Sequence, residues 1–419
     1  MRALRIGGGR PLCGELEVHG AKNSVLPILA ATLLSCGVCV IHNCPKLTDV
    51  DAAVAILRHL GCAVEREGQS IAVDASTLSR CDIPQGLMRE MRSSIIFLGA
   101  VLGRCGAAEL SFPGGCELGP RPIDLHLGAL RAMGVAVDDT HGAVSCTGRP
   151  RGQELSLALP SVGATENVLL AACAAEGTTV LNNAAREPEI VDLCRFLQAM
   201  GADIQGAGSS TVTICGGKML HGAEHRVIGD RIVAATYLSA AAAVGGRVRL
   251  RGVDRRTLLP VLDALREAGC TVTGDQQTIC LTSTGQLVGI RPVRTAPYPG
   301  FPTDAQPMLL SALCRSRGVT VFVENIFENR YRQTWELLRM GADVRVEGRV
   351  AVVCGVPRLR GARLEAPDLR GGAALAVAAL CAEGESLLTG LHHVDRGYER
   401  LESDLSALGA DIQRVNMDE

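Results

Sequence analysis

Aromatic residues are scarce in this chain of 419 residues, which has one tryptophan, four tyrosines and six phenylalanines. Its core therefore has to be filled by alanine, leucine, valine and cysteine, and helices with such small side chains can approach one another closely. The chain also lacks an apolar run of the roughly 18–20 residues that a membrane-spanning helix needs. VAATYLSAAAAV is among its longest apolar segments. We therefore expect a globular protein that does not enter a membrane.

An excess of basic charge is missing as well. The 42 lysines and arginines face 44 aspartates and glutamates, which leaves a net charge of −2. A nucleic-acid-binding domain has a basic surface, so this balance excludes nucleic acid as the expected partner. An anionic ligand would have to be bound by locally clustered cations. The first residues, MRALRIGGGRPLCG, show no apolar segment of the kind found in secretory signals, and we expect a cytoplasmic location.

The seventeen cysteines are an odd number and cannot all form disulfides. In a cytoplasmic protein we expect their thiols to be reduced. Cys36 and Cys39 form a C-x-x-C motif with His42 and Cys44 close by, which leaves a zinc site as an alternative. No second C-x-x-C exists, and the segment fits a junction between a helix and a strand. This favours packing in the core, and we expect no metal.

A unit that recurs six times is the most informative feature of the sequence. In each copy a helix-like segment closes on a glycine and turns into a short β run. These glycines are Gly61, Gly134, Gly201, Gly269, Gly341 and Gly409. A second series of apolar, alanine-rich helices alternates with the first and ends at Gly37, Gly106, Gly177, Gly245, Gly318 and Gly384. A period of roughly 70 residues predicts an array of like units, in which the apolar helices are buried.

The repeats predict an α/β protein of two domains, each with three units. The first domain would span residues 22–228 and the second residues 229–419. Residues 1–21 contain a strand, ELEV, that belongs to no unit. We expect it to complete a sheet of the second domain, so that the chain crosses twice between domains.

Basic residues stand at the predicted starts of three apolar helices: Lys22, Arg92 and Arg370. A cation there opposes the helix dipole, whereas an anion is favoured. An anionic ligand that binds all three would compensate for this. The alternative is that each cation pairs with a nearby carboxylate or points to solvent. HGAKNS lacks the spacing of a phosphate-binding loop, and the glycines at 7–9 lack the strand and helix in the order that a dinucleotide-binding loop requires, which favours a turn.

The segment SFPGGCELGPRPIDLHL contains a further candidate, Cys116, among glycines and within five residues of Arg121. A thiol near guanidinium groups can act as a nucleophile or a proton donor. The alternative is chance, because a chain with so many cysteines places some in loops. Asp304 between prolines, Arg330 and Arg396 are charged residues in other loops, where solvation alone is the usual reading.

Several motifs together carry a resemblance to a known family: GAKNSVLPILAATLL, PGGCELGPRPIDLH, PSVGATENVLLAA, AAREPEIVDL, PYPGFPTD, IFENRY, DLRGGAAL and HHVDRGYERLE. From about residue 6 to 415 the chain resembles the UDP-N-acetylglucosamine 1-carboxyvinyltransferases, a family of enolpyruvyl transferases. The resemblance implies a two-domain inside-out α/β barrel built from six βαβαββ units. The implied reaction moves the enolpyruvyl group of phosphoenolpyruvate to the 3′-hydroxyl of UDP-N-acetylglucosamine and releases phosphate, the first committed step of peptidoglycan synthesis.

The resemblance also implies roles for individual residues. Cys116 would be the general acid, able to form an adduct with phosphoenolpyruvate, and Asp304 the base. The basic residues that match the phosphoenolpyruvate site are Lys22, Arg92, Arg121, Arg330, Arg370 and Arg396, of which Lys22 and Arg396 are counted as catalytic. Further substrate-binding positions are Asn23, Pro122, Ile123, Asp124, Leu125, Ser161, Val162, Gly163, Ile326 and Asp368. A monomer without cofactor is expected, with residues 111–121 as a lid that excludes water.

Two departures from the family pattern are visible. The family commonly reads D-R-I-E-A-G-T where this chain has D-R-I-V-A-A-T at 230–236, and Pro307 falls in the first turns of a helix. Two alternative functions therefore stay open. One is a related protein that binds the substrates but does not convert them, and the other is an enolpyruvyl transferase with a different acceptor.

Overall fold

The computed structural model describes residues 2–91, 93–111, 123–140 and 142–416. It is built from short strands and helices that alternate along the chain. The strands are β1 (Arg2–Gly7), β2 (Leu12–Glu17), β3 (Cys39–His42), β4 (Ala63–Glu67), β5 (Ser70–Asp74), β6 (Asp82–Ile83), β7 (Ala107–Ser111), β8 (Ala136–Asp138), β9 (Ala143–Thr147), β10 (Glu154–Ser156), β11 (Thr178–Asn182), β12 (Asp203–Gln205), β13 (Thr211–Cys215), β14 (Glu224–Arg226), β15 (Gly246–Arg251), β16 (Thr271–Thr273), β17 (Thr278–Ser283), β18 (Val293–Arg294), β19 (Val319–Val323), β20 (Asp343–Glu347), β21 (Val350–Cys354), β22 (Arg363–Glu365), β23 (Glu385–Thr389) and β24 (Asp411–Asn416).

The α-helices range from a single turn to 14 residues. They are α1 (Lys22–Ala31), α2 (Thr48–His59), α3 (Gln85–Glu90), α4 (Phe97–Cys105), α5 (Asp124–Ala132), α6 (Val162–Ala174), α7 (Pro188–Ala199), α8 (Arg231–Val244), α9 (Leu259–Glu267), α10 (Gln306–Leu313), α11 (Thr334–Arg339), α12 (Leu369–Leu380), α13 (Leu391–Val394) and α14 (Leu401–Ala407). In the described ranges, short 3-10 helices cover Thr32–Leu34, Ser94–Ile96 and Arg255–Leu258.

The strands that the structure describes form six sheets of four strands with one shared arrangement. In each, an edge strand runs parallel to its neighbour, and the remaining two pairs are antiparallel. The orders are β14-β3-β5-β4, β6-β7-β9-β8, β10-β11-β13-β12, β2-β15-β17-β16, β18-β19-β21-β20 and β22-β23-β1-β24. Six like sheets confirm the predicted repeat architecture. Within the described residues they are separate sheets and do not close into one continuous barrel.

The N-terminal segment contributes two strands rather than one. β2, which includes most of ELEV, runs parallel to β15 at the edge of one sheet. β1 lies between β23 and β24 and so takes the place that a hairpin strand occupies in the other sheets. The sequence analysis missed β1, because its apolar residues are interrupted by Arg5 and followed at once by three glycines.

The chain contacts divide into two compact units. We call residues 20–228 the N-terminal unit, and residues 2–19 together with 229–416 the C-terminal unit. In the C-terminal unit the buried helices α8, α10 and α12 pack against one another. In the N-terminal unit α4 packs against both α1 and α6. The assignment of two domains, with boundaries close to these, stays a prediction.

The glycines that close the amphipathic helices share one backbone conformation. Gly61, which follows α2, has φ of +99°. The same left-handed region is occupied at Gly134, Gly201, Gly269, Gly341 and Gly409. A residue after a helix C-terminus often adopts this conformation, and glycine does so without a steric penalty. This explains why the repeat was visible in the sequence.

Candidate active site

Lys22, the first residue of α1, is almost completely buried. Its Nζ lies 2.7 Å from Oδ2 of Asp49, whose side chain is only 1% exposed. Asp49 stands in the first turn of α2, where the helix dipole favours a carboxylate. Lys22 therefore pairs with a nearby carboxylate, which is the alternative that the sequence left open for the basic residues at helix starts. Asn23, the next residue, is exposed.

The start of α1 is fixed further by Asp192 of α7. The hydroxyl of Ser24 donates a hydrogen bond to Asp192, and the backbone N–H of Ile228 donates to the same carboxylate oxygen at 3.2 Å. Nε2 of His225 lies 3.0 Å from the other oxygen. These contacts hold the helix that begins with Lys22 in one position within the N-terminal unit.

A second group of predicted residues lies at the N-terminus of α6. The Ser161 hydroxyl caps this helix by accepting a hydrogen bond from the N–H of Ala164 at 3.3 Å. Val162 and Gly163 are the first helical residues and are half-buried, so their N–H groups belong to the part of the helix that favours an anion. A Cβ on Gly163 would lie 2.9 Å from Cε1 of His126, so the two helices approach closely here.

The adjoining segment leads into α5. Ile123 is buried, Asp124 is exposed as the first residue of the helix, and Leu125 is half-buried. The exposed Asp124 carboxylate provides an acceptor for a polar ligand, and the first N–H groups of α5, which lack partners within the helix, provide donors. Arg92, Cys116, Arg121 and Pro122 lie outside the described residues.

His126 was not predicted, although it directly follows the predicted segment. Its Nδ1 is 2.8 Å from Nδ2 of Asn167 in α6, and Asn167 Oδ1 accepts from the N–H of Gly99 at 2.6 Å. An amide nitrogen can only donate, so Nδ1 accepts and the proton of a neutral ring is assigned to Nε2. Burial lowers the pKa of His126 to about 4, an effect that Asp124 opposes.

The low pKa of His126 predicts a pH-dependent stability. Between about pH 6.5 and pH 4 the unfolded chain binds a proton at this position and the folded chain does not, so stability falls as the pH falls through this window. The shift corresponds to about 3 kcal/mol. Chemical denaturation from pH 7 to 4 should show a weaker pH dependence for His126→Gln than for the wild type. His221→Gln is the control, since His221 is exposed, and equal slopes for all three proteins would contradict the prediction.

In the C-terminal unit Asp304 lies just before α10 and is bound by two arginines. Its Oδ1 is 2.6 Å from NH2 of Arg330, and its Oδ2 is 3.2 Å from NH2 of Arg370. Both arginine side chains are nearly fully buried, whereas that of Asp304 is 26% exposed. Arg330 also donates two hydrogen bonds to the carbonyl of Thr303, at 3.0 and 3.1 Å. The structure thus brings together three residues that the sequence analysis singled out.

The electrostatics of this cluster favour an ionised Asp304. Burial raises the pKa of the Asp304 carboxyl, but the guanidinium groups of Arg370 and Arg330 outweigh burial and hold that pKa well below its usual range. A carboxylate with such a low pKa is a weak base. Any role in proton transfer therefore has to come from its position beside the reacting group.

Glu324, at the end of β19, orders the neighbouring loop and was not predicted. This fully buried carboxylate accepts hydrogen bonds from the N–H groups of Ile326 and Phe327, at 2.9 and 3.0 Å. Both of its oxygens also lie 3.0 Å from the hydroxyl of Thr303. Glu324 therefore links the loop of Ile326, which is partly exposed, to the residue next to Asp304.

Asp368 caps α12 by accepting hydrogen bonds from the N–H groups of Arg370 and Gly371, both at 3.0 Å. The guanidinium of Arg370 lies over the ring of Tyr398 and donates to its hydroxyl at 3.4 Å. That hydroxyl is also 2.7 Å from the hydroxyl of Thr236 in α8. Arg370 is thus held by Asp304 on one side and Tyr398 on the other. Arg396 is half-buried two residues before this tyrosine.

The departures from the family pattern are accommodated locally. Val233 and Ala235 are fully buried in α8, whose first turn is capped by Asp230 through the N–H groups of Ile232 and Val233. Pro307 is the second residue of α10, a position where a missing N–H costs no helical hydrogen bond.

The described part of the chain shows neither a metal-binding cluster nor a membrane-spanning helix. Among these residues no cluster of three histidines, cysteines or carboxylates has the arrangement of a metal site. None of the helices in this part combines the length and apolarity that a membrane crossing requires.

Comparison with known proteins gives matches along almost the whole chain. The family model for EPSP synthase (3-phosphoshikimate 1-carboxyvinyltransferase) matches residues 6–405. The chain is 51% identical to UDP-N-acetylglucosamine 1-carboxyvinyltransferase 2 of Caldanaerobacter subterraneus subsp. tengcongensis, over 99% of this chain and 100% of the relative. It is 47% identical to UDP-N-acetylglucosamine 1-carboxyvinyltransferase of Zymomonas mobilis subsp. mobilis, again over 99% of this chain and 100% of the relative.

Solved structures agree with these matches. The enolpyruvyl transferase NikO from Streptomyces tendae superimposes with a TM-score of 0.90 at 29% identity, over 100% of this chain and 99% of that one. EPSP synthase from Acinetobacter baumannii gives a TM-score of 0.76 at 20% identity over 100% of both chains, which bears on the fold alone. The resemblance stated from the sequence motifs is confirmed, and the chain belongs to the EPSP synthase family of enolpyruvyl transferases, among the UDP-N-acetylglucosamine 1-carboxyvinyltransferases.

Proposed function

We propose that this protein transfers the enolpyruvyl group of phosphoenolpyruvate to the 3′-hydroxyl of UDP-N-acetylglucosamine and releases phosphate, the first committed step of peptidoglycan synthesis. The observation that supports this most directly is the Asp304 carboxylate held between Arg330 and Arg370. It combines an ionised carboxylate for a hydroxyl proton with guanidinium groups that suit a phosphate and a carboxylate. The names of the close relatives support the same reaction.

The proposed reaction is an addition followed by an elimination. Asp304 accepts the proton of the 3′-hydroxyl while the hydroxyl oxygen bonds to C2 of phosphoenolpyruvate. Cys116 donates a proton to C3. The C2–O bond to phosphate then breaks and C3 loses a proton, which restores the double bond. Lys22, Arg92, Arg121, Arg330, Arg370 and Arg396 are proposed to neutralise the phosphate and carboxylate, so the step needs no metal or cofactor.

The nucleotide sugar is proposed to bind to the N-terminal unit. The half-buried N-terminus of α6, with Ser161, Val162 and Gly163, offers N–H groups to a diphosphate. The adjoining residues from Arg121 to Leu125 would contact the rest of the nucleotide, and Asn23 would contact the sugar. Ile326 and Asp368 are proposed to line the acceptor and phosphoenolpyruvate positions of the C-terminal unit.

Phosphate release from phosphoenolpyruvate, measured with and without UDP-N-acetylglucosamine, tests this proposal. We expect release that depends on the acceptor in the wild type, that Cys116→Ser abolishes or greatly slows, and that Cys13→Ser leaves unchanged. Cys13 is a matched control because it is an exposed free thiol on β2. No release by the wild type would instead indicate a protein that binds the substrates without turnover. Release with another acceptor would indicate a different specificity.

A monomeric state and a location in the cytoplasm are also proposed. Light scattering tests the monomeric state.

A further inference from the structure

Arg414 on the C-terminal strand β24 binds two carboxylates at once. Its NH2 and NH1 lie 2.7 and 3.0 Å from the two oxygens of Asp395. Its Nε and NH2 lie 2.9 and 3.1 Å from the two oxygens of Glu402. Two bidentate pairs on one guanidinium are stronger and more directional than ordinary surface ion pairs. The hydrogen bonds to Asp395 raise the pKa of Arg414, while burial lowers it less.

The two carboxylates flank a short stretch of chain, residues 395–402, which we call the 395–402 segment. It contains Arg396, and it contains Tyr398, whose hydroxyl contacts both Thr236 and Arg370. Gly397 packs so tightly on Leu369, the first residue of α12, that a Cβ would lie 2.8 Å from its methyl groups. The segment is therefore bound at both ends by Arg414 and packed in the middle against the start of α12.

We propose that Arg414 is a positioning residue for the reaction. By binding Asp395 and Glu402 together it fixes the 395–402 segment, and with it Arg396 directly and Arg370 through Tyr398. The part of this inference that concerns Arg396 rests on the proposed function. Small displacements of groups that orient a substrate reduce rates strongly, by as much as about a hundred-fold for about 1 Å.

The same sheet contains a matched control. Arg5 on β1 also lies between two carboxylates, with NH1 2.8 Å from Glu385 and NH2 3.3 Å from Asp411. Its side chain is 31% exposed, against 22% for Arg414. The partners of Arg5 belong to β23 and β24 and not to the 395–402 segment. Asp411 also pairs with Arg10, at 3.3 Å. Arg5→Gln therefore breaks two ion pairs of the same sheet without releasing that segment.

Amide hydrogen exchange at Gly397 and Tyr398 tests the inference without reference to activity. Both N–H groups donate to the carbonyl of Val394, at 3.0 and 3.1 Å. Exchange should become at least about ten-fold faster in Arg414→Gln, because release of the ends permits local opening, and should not change in Arg5→Gln. Unchanged exchange in Arg414→Gln would overturn the inference. Arg414→Lys keeps the charge but loses the planar guanidinium that binds a carboxylate in a bidentate manner. Its exchange rates should lie between those of the wild type and Arg414→Gln.

Steady-state kinetics then test the link to the reaction. We expect Arg414→Gln to lower kcat/KM by about ten- to a hundred-fold and Arg5→Gln to leave it within about two-fold. In an Arg396→Gln background, Arg414→Gln should lower kcat/KM less than it does in the wild type, since one of the two groups that it positions is absent. Full additivity of the two losses would overturn the part of the inference that concerns Arg396. If the wild type releases no phosphate, the proposed function is refuted but the inference about Arg414 is not. The exchange rates still decide whether Arg414 fixes the 395–402 segment.

Discussion

Asp304→Asn is expected to lower kcat by between about a hundred- and ten-thousand-fold, the range typical of a positioned acid or base. The amide keeps the shape of the side chain but cannot take a proton from a hydroxyl. It also removes the negative charge between Arg330 and Arg370, which are both nearly fully buried. Breaking a buried ion pair by removing one partner typically costs about 3–5 kcal/mol. The variant should therefore lose both activity and stability.

The loss of stability has a characteristic dependence on pH. Because the pKa of Asp304 lies below its usual range in the folded protein, the stability that its charge contributes is fully present above the unfolded pKa, about 3.9. It is lost as the pH falls below that value. The difference in free energy of unfolding between wild type and Asp304→Asn should thus be constant from about pH 5 to 8 and shrink in stronger acid.

Asp254→Asn provides the control for Asp304→Asn. Asp254 has nearly the same side-chain exposure, 24%, and also pairs with an arginine, Arg256, at 2.6 Å. It caps a short 3-10 helix, and asparagine caps helices about as well as aspartate. This control should keep its activity and lose little stability. Equal kcat values for the wild type and Asp304→Asn would refute the assignment of Asp304 as the base.

The six-fold repeat could be predicted from the sequence because its markers are local. A helix that ends in the left-handed conformation selects glycine at that residue alone, as at Gly61 and Gly201. The buried helices could be predicted equally well, since a helix that is apolar on all faces, such as α12, has no face suited to solvent and has to be buried. Both signals are contained in fewer than twenty consecutive residues, and a single sequence therefore suffices to find them.

The partners of the charged residues could not be predicted, because they are distant in sequence. Asp304 is 26 residues from Arg330 and 66 from Arg370. The sequence analysis assigned both arginines to a ligand, and the structure shows that both bind Asp304. Asp49 was missed as the partner of Lys22 for the same reason. A ligand that uses these cations has to compete with carboxylates already bound to them.

The N-terminal strand β1 illustrates a different limit. Its place between β23 and β24 joins residues separated by almost the whole chain. Nothing near β1 in the sequence indicates this partner. The sequence analysis assigned ELEV to a sheet of the second domain, where most of it lies in β2 beside β15, but it did not identify β1 as a second N-terminal strand.

Lys22→Met is expected to reduce kcat/KM by at least about a hundred-fold and to destabilise the protein by about 3–5 kcal/mol. The Lys22 ammonium lies 2.7 Å from a carboxylate that is 1% exposed, and its removal leaves the charge of Asp49 in a buried environment without it. The proposed loss of activity has a separate cause, since the same ammonium is proposed to bind phosphoenolpyruvate. Thermal or denaturant unfolding and steady-state kinetics measure the two effects independently.

A double variant distinguishes these causes. Replacing a buried ion pair by apolar residues of similar volume is often neutral for stability, so Lys22→Met combined with Asp49→Leu should recover to within about 2 kcal/mol of the wild type. Its activity should stay as low as that of Lys22→Met, because no ammonium has been restored. Lys218→Met is the matched control, since the pair of Lys218 with Asp203 is exposed and should contribute less than about 1 kcal/mol. Recovery of activity together with stability in the double variant would show that Lys22 acts through the fold and not on the substrate.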